Sequence, residues 1–470
     1  MDAQTPAAAR AAAPVFTHRQ TVTIMIGLML SLFLTTIDQT IFAPALPRIA
    51  NDLAGESSIS WIISIYLLSS TAVTPIYGKL SDLYGRKIIL HTSMAIFILG
   101  SILCALATSM TQLIGFRLLQ GAGGGALMPM AFAIAGDVVP ARQRGRYQGY
   151  FSAAFGAASI LGPMLGGWFA DQLSWRFAFW INVPIGLAAM VIAEFTLRGL
   201  GAKHLHHRID YAGAFLIVGA ASCIMVVITM GGHELAWNAP SLLALAALGL
   251  VLFGAAIVQE RRASDPMLPP RLFRNSTFIV ANLATMICSL GVIGITIFIP
   301  DFFQVVFRLS ASASGAALIP FLLLWTVGSL AVGRRVAATG RYKLLPPVGL
   351  ALAVVAMLGL ALVTPATSLW LAISLVGLLG IGASPVFNIM LVGLQNAVDR
   401  ADLGTATSAN GFVRSLGSAF GVTLFGAMLS GSADAGRAFQ LIFLAGAAAM
   451  IAGLLIALFL KELPLASRHH

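Results

Sequence analysis

Fourteen apolar runs, each about 20 residues long and separated by short polar gaps, constrain this chain more than any other feature. They fall at 21–45, 59–78, 88–108, 112–136, 148–170, 175–197, 210–230, 240–259, 277–301, 312–332, 344–363, 368–394, 404–429 and 438–460. At about 1.5 Å of rise per residue, such a run crosses a hydrocarbon core of about 30 Å as one helix. Charged residues make up only 10% of the 470, against about 25% in a soluble domain. The alternating ten-residue pattern of a membrane barrel is absent, so backbone polar groups must be satisfied within helices. The reading is an all-α membrane protein with 14 transmembrane helices and the lipid bilayer as its solvent.

An even number of crossings puts both ends of the chain on one side. Lysines and arginines mark that side: twenty-two lie in gaps on the side of the termini, and only Arg48, Arg176, Arg308 and Arg437 lie opposite. By the positive-inside rule the termini are cytoplasmic, in a cytoplasmic (inner) membrane. The net charge of +11 is then a consequence of topology, and a nucleic-acid partner is not expected. Cys104, Cys223 and Cys288 sit mid-span, isolated from one another, and read as packing residues rather than metal ligands or disulfide partners. The opening "MDAQTPAAARAAAP" has no apolar core or cleavage pattern, so residues 1–20 read as a disordered cytoplasmic lead.

The chain also repeats itself at an offset of 255 residues. Gly149, Gly156, Leu161, Gly162 and Gly166 fall on Gly404, Gly411, Leu416, Gly417 and Gly421, while Gly78, Gly85 and Arg86 fall on Gly333, Gly340 and Arg341. The repeat unit is six helices, in one orientation because six is even. It divides the chain into a bundle at 21–198, a linker with two inserted helices at 199–275, a second bundle at 276–460 and a cytoplasmic tail at 461–470. Two six-helix bundles related by pseudo-two-fold symmetry enclose a crevice, which is the expected place for a substrate.

Several segments resemble the major facilitator superfamily, and within it the fourteen-span drug:proton antiporters. "GKLSDLYGRK" (78–87) is similar to the superfamily's loop motif, with Leu83 where a basic residue is commoner, and "RLLQG" (117–121) to its span 4 motif. Gly149, Ala158, Gly162-Pro163 and Gly166-Gly167 match the spacing of the span 5 antiporter motif, with one glycine replaced by Ala158. "DQTIFAPALPRIANDL" (38–53) and "SWRFAFWINVPIG" (174–186) look like segments of the fourteen-span branch. The resemblance implies a proton-coupled multidrug efflux antiporter that works by alternating access. It also implies gating by Gly78, Asp82, Gly85 and Arg86 in the loop, and by Gly162, Pro163, Gly166 and Gly167 in span 5. In the second copy Ala337 replaces the loop aspartate, so the acid-dependent latch belongs to the first copy alone.

Charges inside spans are costly, at about 2.5–3.5 kcal/mol on insertion scales, and call for partners. Asp38 near the outer end of span 1 and Arg117 near the outer start of span 4 lie at similar depth, within about two turns of that surface. They are expected to pair, and the carboxylate to be contested by protons and substrate. The alternatives are an interfacial Asp38 reaching water and an Arg117 bound to backbone carbonyls. Asp301 is a second candidate for proton coupling or substrate entry, against an interfacial cap. Arg414 on span 13 is a structural or coupling residue. Gln39 and Asn388, on spans that line the family's cavity, are candidate substrate contacts.

No Walker loop is present, since "GAGGG" lies inside span 4, and no catalytic or metal constellation points to an enzyme. No cofactor is expected beyond protons as coupling ion, and the chain is expected to act as a monomer on an amphipathic or lipophilic small-molecule substrate, cationic for preference. A proton symporter, an exporter of lipids or metabolites, and a non-transporting membrane scaffold are the competing readings.

Overall fold

The computed structural model describes residues 17–42, 44–53, 59–197, 210–231, 235–263, 266–430 and 434–464. Most of the expected N-terminal lead (1–16), the first linker at 198–209 and the tail end at 465–470 lie outside the described residues.

The fourteen runs become fourteen helices. In chain order they are α1 (His18–Ile41), α2 (Ile59–Tyr84), α3 (Arg86–Ala105), α4 (Met110–Val138), α5 (Ala141–Gln172), α6 (Phe177–Thr196), α7 (Tyr211–Met230), α8 (Pro240–Arg262), α9 (Ser276–Thr296), α10 (Ile319–Thr339), α11 (Leu345–Ala361), α12 (Leu369–Ala397), α13 (Leu403–Ser430) and α14 (Ala435–Leu458). Thirteen of them contain a stretch long and apolar enough to cross a membrane; α11, at 17 residues, is shorter. The polar gaps supply the caps that start several helices. Thr17 and Gln20 form a capping box on α1, and Ser109, Asp210, Asn275 and Asp434 cap α4, α7, α9 and α14. Gly85 (φ 95°) and Gly340 (φ 70°) make the tight turns α2–α3 and α10–α11 in a left-handed conformation that glycine adopts without strain. They are 255 residues apart, so the repeat extends to its turn chemistry.

One expected boundary moves. Span 9 was expected to run to 301, but α9 ends at Thr296 after a π-turn at Ser289–Ile293, and a separate short helix, Ile299–Phe307, follows. Pro300 is the cause: it lacks the N–H that Thr296 would have accepted, and it serves instead at the first turn of the new helix.

Within each half the same neighbours pack. α3 lies on α4 and α2 on α4, as α11 lies on α12 and α10 on α12; α1 lies on α5 as α9 lies on α13. Small residues set these distances. A Cβ at Gly162 or Gly166 would collide with Thr40 or the Ile41 carbonyl of α1, and one at Gly417 or Gly421 with the Met286 or Leu290 carbonyl of α9. The halves meet through α5 on α10 and α13 on α2, two contacts that the 255-residue offset exchanges, as a two-fold axis requires. α7 and α8 pack on each other, and α7 rests against α2 and α13, with Thr423 donating to the Ile228 carbonyl at 2.8 Å. The inserted pair therefore flanks the seam.

Candidate functional site

Asp38 and Arg117 are fully buried, 0% and 1% exposed, and form an ion pair at 2.8 Å. α1 points Asp38 toward α4 and α6, and α4 carries Arg117 and Gln120 three residues apart on one helix face. Both carboxylate oxygens are occupied. Arg117 donates to Oδ2, while Gln120 Nε2 (2.8 Å) and Asn182 Nδ2 (2.7 Å) donate to Oδ1. Arg117 also donates to the Gln120 Oε1 at 2.7 Å and the Ile62 carbonyl at 3.1 Å. Ser101 Oγ accepts from Gln120 and Asn182, which joins α1, α3, α4 and α6 in one polar network.

Aromatic faces close the network. The guanidinium carbon lies 4.3 Å from the Tyr66 ring centre, 4.6 Å from Phe42 and 5.8 Å from Phe179. Contacts of this kind contribute on the order of 2 kcal/mol each when desolvated. "GAGGG" makes room for the neighbours: Cβ atoms at Gly121, Gly124 and Gly125 would collide with Ser69, Tyr66 and the Ser70 carbonyl of α2. In this conformation the Asp38 carboxylate has no solvent-exposed surface.

A second network lies at the side of the chain termini. Asp82, at the end of α2, accepts from the Gly404 N–H (3.0 Å), the Thr405 N–H (2.7 Å) and the Thr405 hydroxyl (2.8 Å) at the start of α13. A carboxylate from one half thus caps a helix N-terminus of the other, where the helix dipole favours negative charge. Arg86 pairs with Asp82 at 2.6 Å and with Asp137 at 2.9 Å, tying α4 into the same cluster. Gly78 and Gly404 permit the approach: a Cβ on Gly78 would meet Ser408 at 2.6 Å, and one on Gly404 the Ser81 hydroxyl at 2.6 Å. On the two-fold-related seam Gly145 faces Gly333 directly. Arg271 from the linker grips buried Asp402 with two hydrogen bonds, 2.8 and 3.0 Å, two residues from this cap. Gln395 reaches across to the Phe132 carbonyl at 3.1 Å. The halves are therefore closed against each other at the terminus side.

The remaining candidates are dispersed. Asp301 is exposed on the short helix beyond α9, while its neighbours Phe302 and Phe303 pack into the C-terminal core, so it joins neither network. Gln39 is exposed beside buried Asp38, and Asn388 is buried in α12. Arg414 is half-buried on α13 and reaches Met128 of α4, across the seam. Pro163 lies within α5, and Gly167 has only Pro44 near it. Sequence reasoning missed Gln120, Asn182, Ser101 and the three rings. Gln120 carried a signal in "RLLQG" and Asn182 in "FWINVPIG"; Ser101, one hydroxyl in an apolar run, carried none.

At the far side, Asp52 accepts from Trp175 Nε1 and Arg176 Nη1, both at 2.9 Å. The Trp175 bond first, then Arg176, hold its carboxyl below the usual range. This joins the two segments that resemble the fourteen-span branch.

The sequence matches the Major Facilitator Superfamily over residues 28–422. It is 37% identical over 412 residues to the "Multidrug transporter protein MdtP" of Bacillus subtilis, covering 87% of this chain and 75% of that one. It is 35% identical over 405 residues to "Multidrug resistance protein 3" of the same organism, covering 86% and 78%. The fold is similar to the crystal structure of the human organic anion transporter MFSD10, with a TM-score of 0.69 at 15% identity, covering 93% and 99%.

Proposed function

The chain belongs to the Major Facilitator Superfamily, and on that premise we propose that it is a fourteen-span, proton-coupled multidrug antiporter of the cytoplasmic membrane with both termini in the cytoplasm. The relatives' names support efflux of amphipathic or lipophilic compounds. The single observation that carries the coupling is the sealed Asp38–Arg117 pair.

An ion pair without water is stable only as a pair. Protonating Asp38 leaves a buried guanidinium with neutral acceptors, and breaking such a pair costs about 3–5 kcal/mol. That cost falls if α1 and α4 move so that Arg117 finds water or substrate, so the protonation state of Asp38 biases a two-state element. The terminus-side closure through Asp82, Arg86, Gly404 and Thr405 corresponds to the outward-facing member of the cycle. A proton taken from outside opens the pair, the latch releases, and cargo enters from the cytoplasm as the proton leaves. Cationic cargo engages Asp38 only while the pair is open.

Sealed vesicles containing the protein test this. Imposing a pH gradient should drive a dye such as ethidium against its concentration, with protons moving opposite to the dye, so that lumen pH rises as dye enters. Movement of dye and proton in the same direction would make the protein a symporter, and flux equal to protein-free vesicles would make it a scaffold.

A further inference from the structure

The arginines packed between the helices of this protein are not equivalent. Arg117 faces Asp38, and Arg86 faces Asp82 and Asp137. Arg414 has only the Met128 thioether, a weak acceptor, and no carboxylate in ion-pair range among the described residues. Asp38, the acid near the end of α1, has both oxygens committed.

Its position is equally informative. Residues 403–410 of α13 are all buried, and residues 411–416 are all half-buried. Six consecutive residues cover more than one turn of about 3.6, so this one turn of α13 is partly accessible all round, before Gly417 and Gly421 bury the helix again against α9. Arg414 sits in this turn, just beyond the fully buried stretch of the terminus-side closure. On the adjacent α12, Asn388 is only 5% exposed, yet its Nδ2 has no hydrogen-bond partner among the described residues. It lies seven residues, about two turns, before Gln395, hence on the same helix face, the one that crosses to Phe132. Arg414 is about 16 Å along α13 from its start and Asn388 about 13 Å from the end of α12, which places them within a turn of equal depth.

We propose that Arg414 and Asn388 form an anion-recognising subsite that takes the carboxylate of amphipathic cargo between the two halves. A guanidinium fork matches a carboxylate through two charge-assisted hydrogen bonds, and Asn388 supplies a donor whose burial without an acceptor is otherwise unfavourable. The subsite rests on the export reading and extends its cargo to amphipathic anions and zwitterions.

The full-length protein in nanodiscs tests it by fluorescence anisotropy with two probes, dansyl-leucine (a carboxylate) and ethidium (a cation). Wild type should bind dansyl-leucine saturably. Arg414→Gln should weaken that binding about tenfold or more, as expected for loss of a charge-assisted bond, and leave ethidium within about twofold. Arg414→Lys should recover most of the affinity, and Asn388→Leu should lower it by about threefold for the carboxylate alone. Equal losses for both probes would mean that Arg414 only braces the seam against Met128. That result, unchanged dansyl-leucine binding in Arg414→Gln, or no saturable binding to wild type would each overturn the subsite. Failure of gradient-driven ethidium flux in vesicles would instead overturn the export reading and leave the binding comparison standing.

Discussion

Replacing Arg117 with Met preserves a long apolar stem on α4 but strands Asp38, whose remaining donors are the amides of Gln120 and Asn182. Leaving one member of a buried pair costs about 3–5 kcal/mol, and losing the stacks on Tyr66 and Phe42 adds on the order of 1 kcal/mol or more. At about 2–4 °C per kcal/mol for a unit the size of one bundle, the apparent Tm should fall by roughly 10–20 °C. Asp38→Asn alone should be similarly costly, since it strands a guanidinium that has no other acid in ion-pair range among the described residues. The double variant leaves no charge in this network, so it should be more stable than either single variant, with a coupling energy of up to about 3 kcal/mol. Cys104, Cys223 and Cys288 are free and buried, so a thiol-reactive dye reads unfolding directly in detergent. Additive losses, or an Arg117→Met protein within about 1 kcal/mol of wild type, would refute the argument that the charges stabilise each other.

Gly404→Val should shift the protein away from terminus-side closure, because the new side chain would occupy the space of Arg86, Ser81 and Asp82; labelling of cysteines introduced on that side should increase. Asp82→Asn should act in the same direction more weakly, by about 1–3 kcal/mol, since it removes charge from the cap on α13 and from the Arg86 pair. Asp301→Asn should leave stability within about 0.5 kcal/mol of wild type and leave proton coupling intact, as its side chain is exposed and outside both networks. The Asp52 link should be present near neutral pH and lost as pH falls through its lowered pKa. Asp52→Asn should therefore flatten the acid limb of the melting curve without changing the alkaline one.

The helices and their duplication are legible in the sequence because the bilayer imposes a run length and close packing imposes glycine. Gly162 and Gly417 recur at one offset because each admits a carbonyl or hydroxyl of the preceding half-bundle helix. Arg117 and Asp38 are legible as a pair because an ionised group in lipid needs a counter-charge, and their depths along α4 and α1 can be counted. Gln120 follows from its spacing to Arg117. Ser101 and Asn182 do not, because a neutral polar residue in an apolar run has many possible partners and only the packing of α3 and α6 against α1 selects one. The isolation of Asp301 turns on where Pro300 ends α9, and the open guanidinium of Arg414 on what the other half places opposite it. Both are tertiary facts without a local signature.

The central claim is that one carboxylate, sealed against Arg117, exchanges its proton as cargo binds. Proton release on adding ethidium to the purified protein, in weakly buffered solution with a pH indicator, measures this directly. Wild type should release protons at acidic pH with an amplitude that saturates with ethidium binding, and Asp38→Asn should bind the dye more weakly and release none even at saturating dye. Undiminished release from the Asp38→Asn protein would contradict the account.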